Sequence, residues 1–209
     1  MSLLSQLSSQ VGDRSEASNL RVVGLCLEDP ILLKEINLGL AEDDPALLGD
    51  CAEVITKVAE TDPALVVPYA AALSVLLLHP NTRVRWEATH AIALIAGLVP
   101  AMLSALMPIL VRMLREDQSV IVRDHAVDAL GNYAATGAHA SECVYPYLLE
   151  GLTLWDGKQA GHALHGLAKA AHYLPARQAE LIEIANIYSY SDRPVIAKSA
   201  KELFKAVTS

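Results

Sequence analysis

Three pairs of side chains at i,i+3 spacing carry the groups best suited to chemistry: Glu87–His90, His125–Asp128 and His162–His165. On a helix, residues three apart share a face. Each pair would then set two imidazole or carboxylate groups side by side, the donor types that zinc and iron accept. Trp86, Asp124 and Lys158 stand next to these pairs in sequence. Carboxylates at Glu87, Asp124 and Asp128 suit a lysine or arginine from a peptide, and an indole such as that of Trp86 is a frequent anchor at binding surfaces. GxSxG, GxGxxG, P-loop and HExxH patterns are absent, and no serine or cysteine is spaced for a nucleophilic triad. No catalytic residue is therefore assigned.

The elements that position these residues repeat along the chain. From Val84, small or apolar residues recur at Ala88, Ala91, Ile92, Ile95 and Ala96, one face of a helix at 3.6-residue spacing. The same offsets from Val122 give Ala126, Ala129, Leu130, Tyr133 and Ala134. From Leu47 they give Cys51, Val54, Ile55, Val58 and Ala59; from Asp156, Ala160, Ala163, Leu164, Leu167 and Ala168; from Ile196, Ala200, Leu203, Phe204 and Val207. Successive starting points lie 37, 38, 34 and 40 residues apart. A near-constant period of this length marks one supersecondary unit stacked on itself.

Prolines keep a second rhythm. Pro30, Pro63, Pro100 and Pro175 follow polar or glycine-containing turns, with Asp29 and Asp62 as ready N-caps, so each is expected to open a helix. Pro68, Pro108 and Pro146 fall inside the apolar stretches 66–78, 101–114 and 142–154 and predict a bend in each outer helix. Polar turns at Glu42-Asp43-Asp44, Asn81-Thr82 and Glu116-Asp117-Gln118 separate outer from inner helices. Helix-interior proline, an Asp or Asn in the turn, and Val-Arg opening the inner helix (Val84-Arg85, Val122-Arg123) together resemble the HEAT-repeat, armadillo-like family.

That resemblance implies an all-α fold: a right-handed α-α superhelix of about five helical hairpins in one domain over 1–209. A capping helix is expected at 14–27, with hairpins at 30–59, 63–97, 100–136, 141–172 and 175–208. The resemblance further implies that Arg85 and Arg123 bond turn acids of adjacent repeats. Metalloenzymes of this type, the deoxyhypusine hydroxylases, carry His-Glu dipeptides where this chain has Trp86-Glu87 and Asp124-His125, and no His-Glu dipeptide occurs anywhere.

On each inner helix the offsets opposite the packed stripe are +2, +6 and +9, with +3 beside them. They assign Trp86, Glu87, His90, Asp124, His125, Asp128, Lys158, His162 and His165 to a concave binding face, with Gln159 among them. The expected function is a scaffold or adaptor holding a protein or peptide there, a basic one by charge. Metal-dependent catalysis at the His/Asp/Glu ladder is the second reading, although no metal or cofactor is assigned, and nucleic-acid binding is the third.

Charge weighs against nucleic acid. The net charge is −8, and residues 28–62 hold ten acids against two bases, which repels phosphate. Three cysteines without a CxxC pair, and an opening without a basic n-region and long apolar run, lead us to expect the cytoplasm. Residues 91–111 are uncharged and long enough to span a bilayer. Gly97, Pro100 and Pro108 interrupt them, so two buried helix faces meeting at a turn are expected, and no membrane partner.

Overall fold

The computed structural model describes residues 2–209, and every α-helix among them belongs to one of two compact units, Met1–Leu98 and Val99–Ser209. No strand occurs among the described residues. The first unit holds α1 (Ser8–Val11), α2 (Ala17–Glu28), α3 (Leu33–Gly39), α4 (Pro45–Thr61), α5 (Ala70–Leu76) and α6 (Thr82–Ile95). The second holds α7 (Pro100–Glu116), α8 (Val120–Ala134), α9 (Ala138–Gly157), α10 (Ala160–Ala170), α11 (Gln178–Ser189) and α12 (Pro194–Thr208). In the first, α4 packs on α2, α3 and α6; in the second, α8 packs on α7, α9 and α10, and α12 on α10 and α11.

The helices start where the turns satisfy their free N–H groups. Asp44 accepts from Ala46 N and Pro45 opens α4, while Asn81 accepts from Arg83 N and Val84 N at the head of α6. Ser119 caps α8 through Val122 N. Each such cap contributes about 1 kcal/mol. Asp29 and Asp62 are N-caps too, but Pro30, Pro63 and Pro175 open single 3-10 turns, whereas Pro100 opens an α-helix directly.

The repeating stripes form the core. Cys51, Val54, Ile55, Val84, Ala88, Ile92, Val122, Ala126, Ala129, Ala163, Leu164, Leu167, Ala200 and Leu203 are completely buried. Phe204 departs from its stripe and is exposed on the free side of α12. Pro108 and Pro146 lie inside α7 and α9 as expected. Pro68 does not lie inside a helix: it sits in the 3-10 turn Val67–Tyr69, and α5 begins after it, so the strain of an interior proline is avoided.

Two further expectations are corrected. The helix expected to cap the stack at 14–27 runs as α2, and it is not the first element, because the chain ahead of it forms α1 and folds back onto α4. Leu3 and Leu7 are buried, and the backbone N–H of Ser9 donates to Asp50 Oδ2 at 2.7 Å. Secondly, the inner helix assigned from Asp156 begins only at Ala160. Leu154, Trp155 and Asp156 leave helical geometry, with Trp155 and Asp156 at φ 53° and 56°, so this segment is a kink. Trp155 is held there by its Nε1–H donating to Leu114 O at 2.9 Å, and the Arg123 guanidinium stacks 4.0 Å above its ring. These contacts offset the cost of left-handed backbone at non-glycine residues.

The uncharged stretch 91–111 divides as expected: α6 and a 3-10 turn end at Leu98, and α7 begins at Pro100. Among the described residues no helix is long and apolar enough to cross a membrane.

Candidate functional site

In the first unit, Trp86, Glu87 and His90 lie on α6. The Trp86 indole N–H donates to Glu87 Oε1 at 2.6 Å. Burial pushes the Glu87 carboxyl above the ordinary carboxylate range, and the Trp86 bond draws it partway back. His90 is half-buried one turn on. Trp86 and Glu87 line a cleft of about 360 Å³ with Ser9, Asn19, Asp50, Glu53 and Arg83.

That cleft is built from residues outside the sequence assignment. The Arg83 Nη2 group reaches Asp50 Oδ1 at 2.7 Å and Glu53 Oε2 at 2.6 Å. Asn19 Nδ2 donates to the same Glu53 oxygen at 2.8 Å, and Asn19 Oδ1 accepts from Ser8 N at 2.9 Å. Burial alone would raise Asp50, but hydrogen bonds from Ser9 and Arg83 outweigh it and hold the carboxyl low. Asp50 and Glu53 stand at the +3 and +6 offsets from Leu47, and the face rule used for the three central repeats would have found them in α4. Arg83 precedes the starting point of its own repeat and left no such signal. Two carboxylates, Asp50 and Glu53, thus share the Arg83 guanidinium, and a third, Glu87, is bonded by the neighbouring indole.

In the second unit, the α8 and α10 residues do come together. His162 Nδ1 and Asp128 Oδ1 are 2.8 Å apart, and His162 Nε2 lies 3.9 Å from Asp124 Oδ2. His125 Nδ1 lies 3.8 Å from the other Asp128 oxygen. The Asp128 hydrogen bond, and the charge of both aspartates, raise the His162 imidazole above its ordinary value against the opposing effect of burial. Burial would raise Asp128 in turn, but hydrogen bonds from His125 and His162 pull it far down. Gln159, a N-cap rather than a groove residue, is fully buried and donates from Nε2 to Asp124 Oδ1 at 2.9 Å. Lys169, two turns beyond His162, donates to Asn132 Oδ1, one turn beyond Asp128.

Lys158 does not join this face. It follows the kink in an exposed turn before α10, because the inner helix starts later than its spacing implied. His162 and His165 do not converge either: His162 turns to α8, whereas His165 Nδ1 lies 3.4 Å from Glu202 Oε2 on α12. Among the described residues no group of three His, Cys, Asp or Glu side chains is placed to hold a metal ion. Arg123 also departs from its expected role. Its Nη1 group donates to the backbone carbonyl of Asp117 in its own repeat, and its face covers Trp155.

The close approach of α8 and α10 has a local cause. Gly131 and Gly166 face each other, and a Cβ on Gly131 would meet the Gly166 Cα at 2.7 Å. Backbone-to-backbone contact there brings Asp128 and His162, each one turn earlier on its helix, within hydrogen-bonding reach.

No family model matches the chain, and no curated protein sequence matches it either. Solved structures do resemble it. An engineered protein from a structural genomics consortium aligns with a TM-score of 0.72 at 19% identity, covering 99% of this chain and 95% of that one. Computationally designed armadillo repeat proteins for modular peptide recognition align at 0.71 and 17%, covering 98% of both chains. A designed armadillo repeat protein in complex with the peptide (KR)4 aligns at 0.67 and 17%, again covering 98% of both. At such identities the likeness establishes the fold, and the fold is that of the armadillo/HEAT-like helical-repeat proteins.

Proposed function

We propose that this protein is a peptide-binding scaffold whose inner-helix faces hold a segment rich in lysine and arginine. The carrying observation is the gathering of carboxylates on those faces: buried Asp50 and Glu53 with half-buried Glu87 beside Arg83 in one unit, half-buried Asp124 and Asp128 beside His162 and His125 in the other. A cationic side chain entering either patch would add a charge-assisted pair to these carboxylates, and pairs of this kind are the strong ones. Trp86 supplies an aromatic wall at the edge of the first patch, suited to stacking or cation–π contact. The fold supports the reading, since designed proteins of this architecture bind peptides, one of them (KR)4. Three free cysteines, two of them deeply buried, fit a reducing cytoplasm.

The test is a titration of a labelled Lys-Arg repeat peptide against the native protein, Trp86→Ala, and Asp128→Lys. Charge reversal at Asp128 is expected to weaken binding at least about tenfold, equivalent to ~1.4 kcal/mol. Binding to native protein should fall steeply with added salt. Unchanged affinity in both variants, or equal binding of a Glu-rich peptide, refutes the assignment.

A further inference from the structure

Apart from the inner-helix faces, the second unit brings a nucleophile against a base. Cys143 and His139 are four residues apart on α9, and the thiol sulfur lies 3.6 Å from His139 Nε2. Helical side chains lean toward the N-terminus, so the Cys143 sulfur is carried back over the first turn of α9, where His139 is the second residue. The neighbouring carboxylate of Glu142 is paired with Arg177 at 3.3 Å. His139 is exposed and also lines a shallow cleft of about 440 Å³ with Pro100, Ala101, Ser104 and Tyr133. No Asp, Glu, Lys or Arg side chain lines that cleft.

We propose that Cys143 is a thiol–disulfide exchange site, with His139 as the base that takes its proton and a small-molecule disulfide as the co-reactant. In the step, the Cys143 S–H proton passes to the His139 imidazole while the sulfur attacks one sulfur of R–S–S–R. The Cys143–S–R bond forms and the R–S–S–R bond breaks. The leaving R–S⁻ takes the proton back from the imidazolium. The thiol is oxidised as the small disulfide is reduced, so nothing further is required. The cleft beside His139 offers an uncharged surface on which the R group can lie during attack.

The other cysteines are excluded by their surroundings. Cys26 and Cys51 are fully buried, and burial pushes their thiols up to about 11 and about 12. Only the thiolate attacks, so neither can compete while the fold is intact.

The experiment reacts the native protein, His139→Gln and Cys143→Ser with dithiobis(nitrobenzoic acid), following release of the coloured thiolate, and repeats the reaction with oxidised glutathione, read by mass. Native protein should release one thiolate per chain and gain one glutathione at Cys143, and Cys143→Ser should release none. His139→Gln, at an exposed position, should keep the native melting temperature but react about 100-fold slower at neutral pH, the low end of what a positioned base contributes. Its rate should also depend more steeply on pH than the native protein's. Equal rates and pH profiles for native and His139→Gln protein overturn the role of His139. Labelling at Cys26 or Cys51 in the folded protein overturns the site.

Discussion

The Gly131–Gly166 contact gives the same substitution opposite signs at two places in the chain. Alanine in a helix interior is better than glycine by about 1 kcal/mol. At Gly24 in α2 an added Cβ meets nothing within 4 Å, so Gly24→Ala should stabilise by roughly that amount. At Gly131 the new Cβ would stand 2.7 Å from the Gly166 Cα. Ordinary carbon contact is about 3.5–4.0 Å, so α8 and α10 must part by about 1 Å. Overpacking of this kind costs ~1–3 kcal/mol, and here the opposing atom is backbone and has no rotamer to yield. After the helix gain is subtracted, Gly131→Ala should be destabilised by about 1 kcal/mol. For a chain of this size, 1 kcal/mol moves the melting temperature by about 2–4 °C. Calorimetry should show Gly24→Ala melting above the native protein and Gly131→Ala below it. The shift also reaches the candidate site, because the 2.8 Å His162–Asp128 bond joins these two helices. In an NMR titration His162 should fall back toward an ordinary histidine in Gly131→Ala and stay raised in Gly24→Ala. If Gly131→Ala gains stability as Gly24→Ala does, with His162 unchanged, the close crossing is not what sets the pair.

Other perturbations follow from the same contacts. His162 is raised in the folded state, so its bond to Asp128 contributes fully below the ordinary histidine value and fades as pH rises through the raised one; melting of native protein relative to His162→Gln should show that advantage in mild acid and lose it in alkali. Asp128 is lowered, so its share persists down to the ordinary carboxylate range and disappears only in stronger acid, where Asp128→Asn should no longer differ from native protein. Arg83→Met strands the buried carboxylates of Asp50 and Glu53 and should cost about 2–3 kcal/mol, somewhat less than for a wholly buried pair because Arg83 is partly exposed, and proteolysis should then reach residues 2–15 first. Asn81→Ala removes the cap of α6 and should cost about 1 kcal/mol in chemical denaturation.

Much of the architecture is legible in the sequence, since a stripe repeated at Val84 and Val122 can only be buried by stacking like upon like. The turn caps at Asp44, Asn81 and Ser119 and the stop at Gly97–Pro100 are equally local. The candidate site was legible by halves. Trp86, Glu87, Asp124, His125, Asp128 and His162 were reached by counting around a helix, and Asp50 and Glu53 were within reach of the same count. Lys158 was misplaced because the count assumes an unbroken helix, and the kink at Trp155 depends on Arg123 and Leu114, more than thirty residues away.

Periodicity, caps and charge are properties of neighbours along the chain, and they settled that this protein is all-helical, repeating and acidic. Tertiary structure alone decided which imidazole meets which carboxylate. His162 and His165 look like one pair in sequence, yet a glycine crossing turns the first to Asp128 while α12 draws the second to Glu202. Distances between helices are set by the smallest residues where they cross, and a one-dimensional pattern does not contain them.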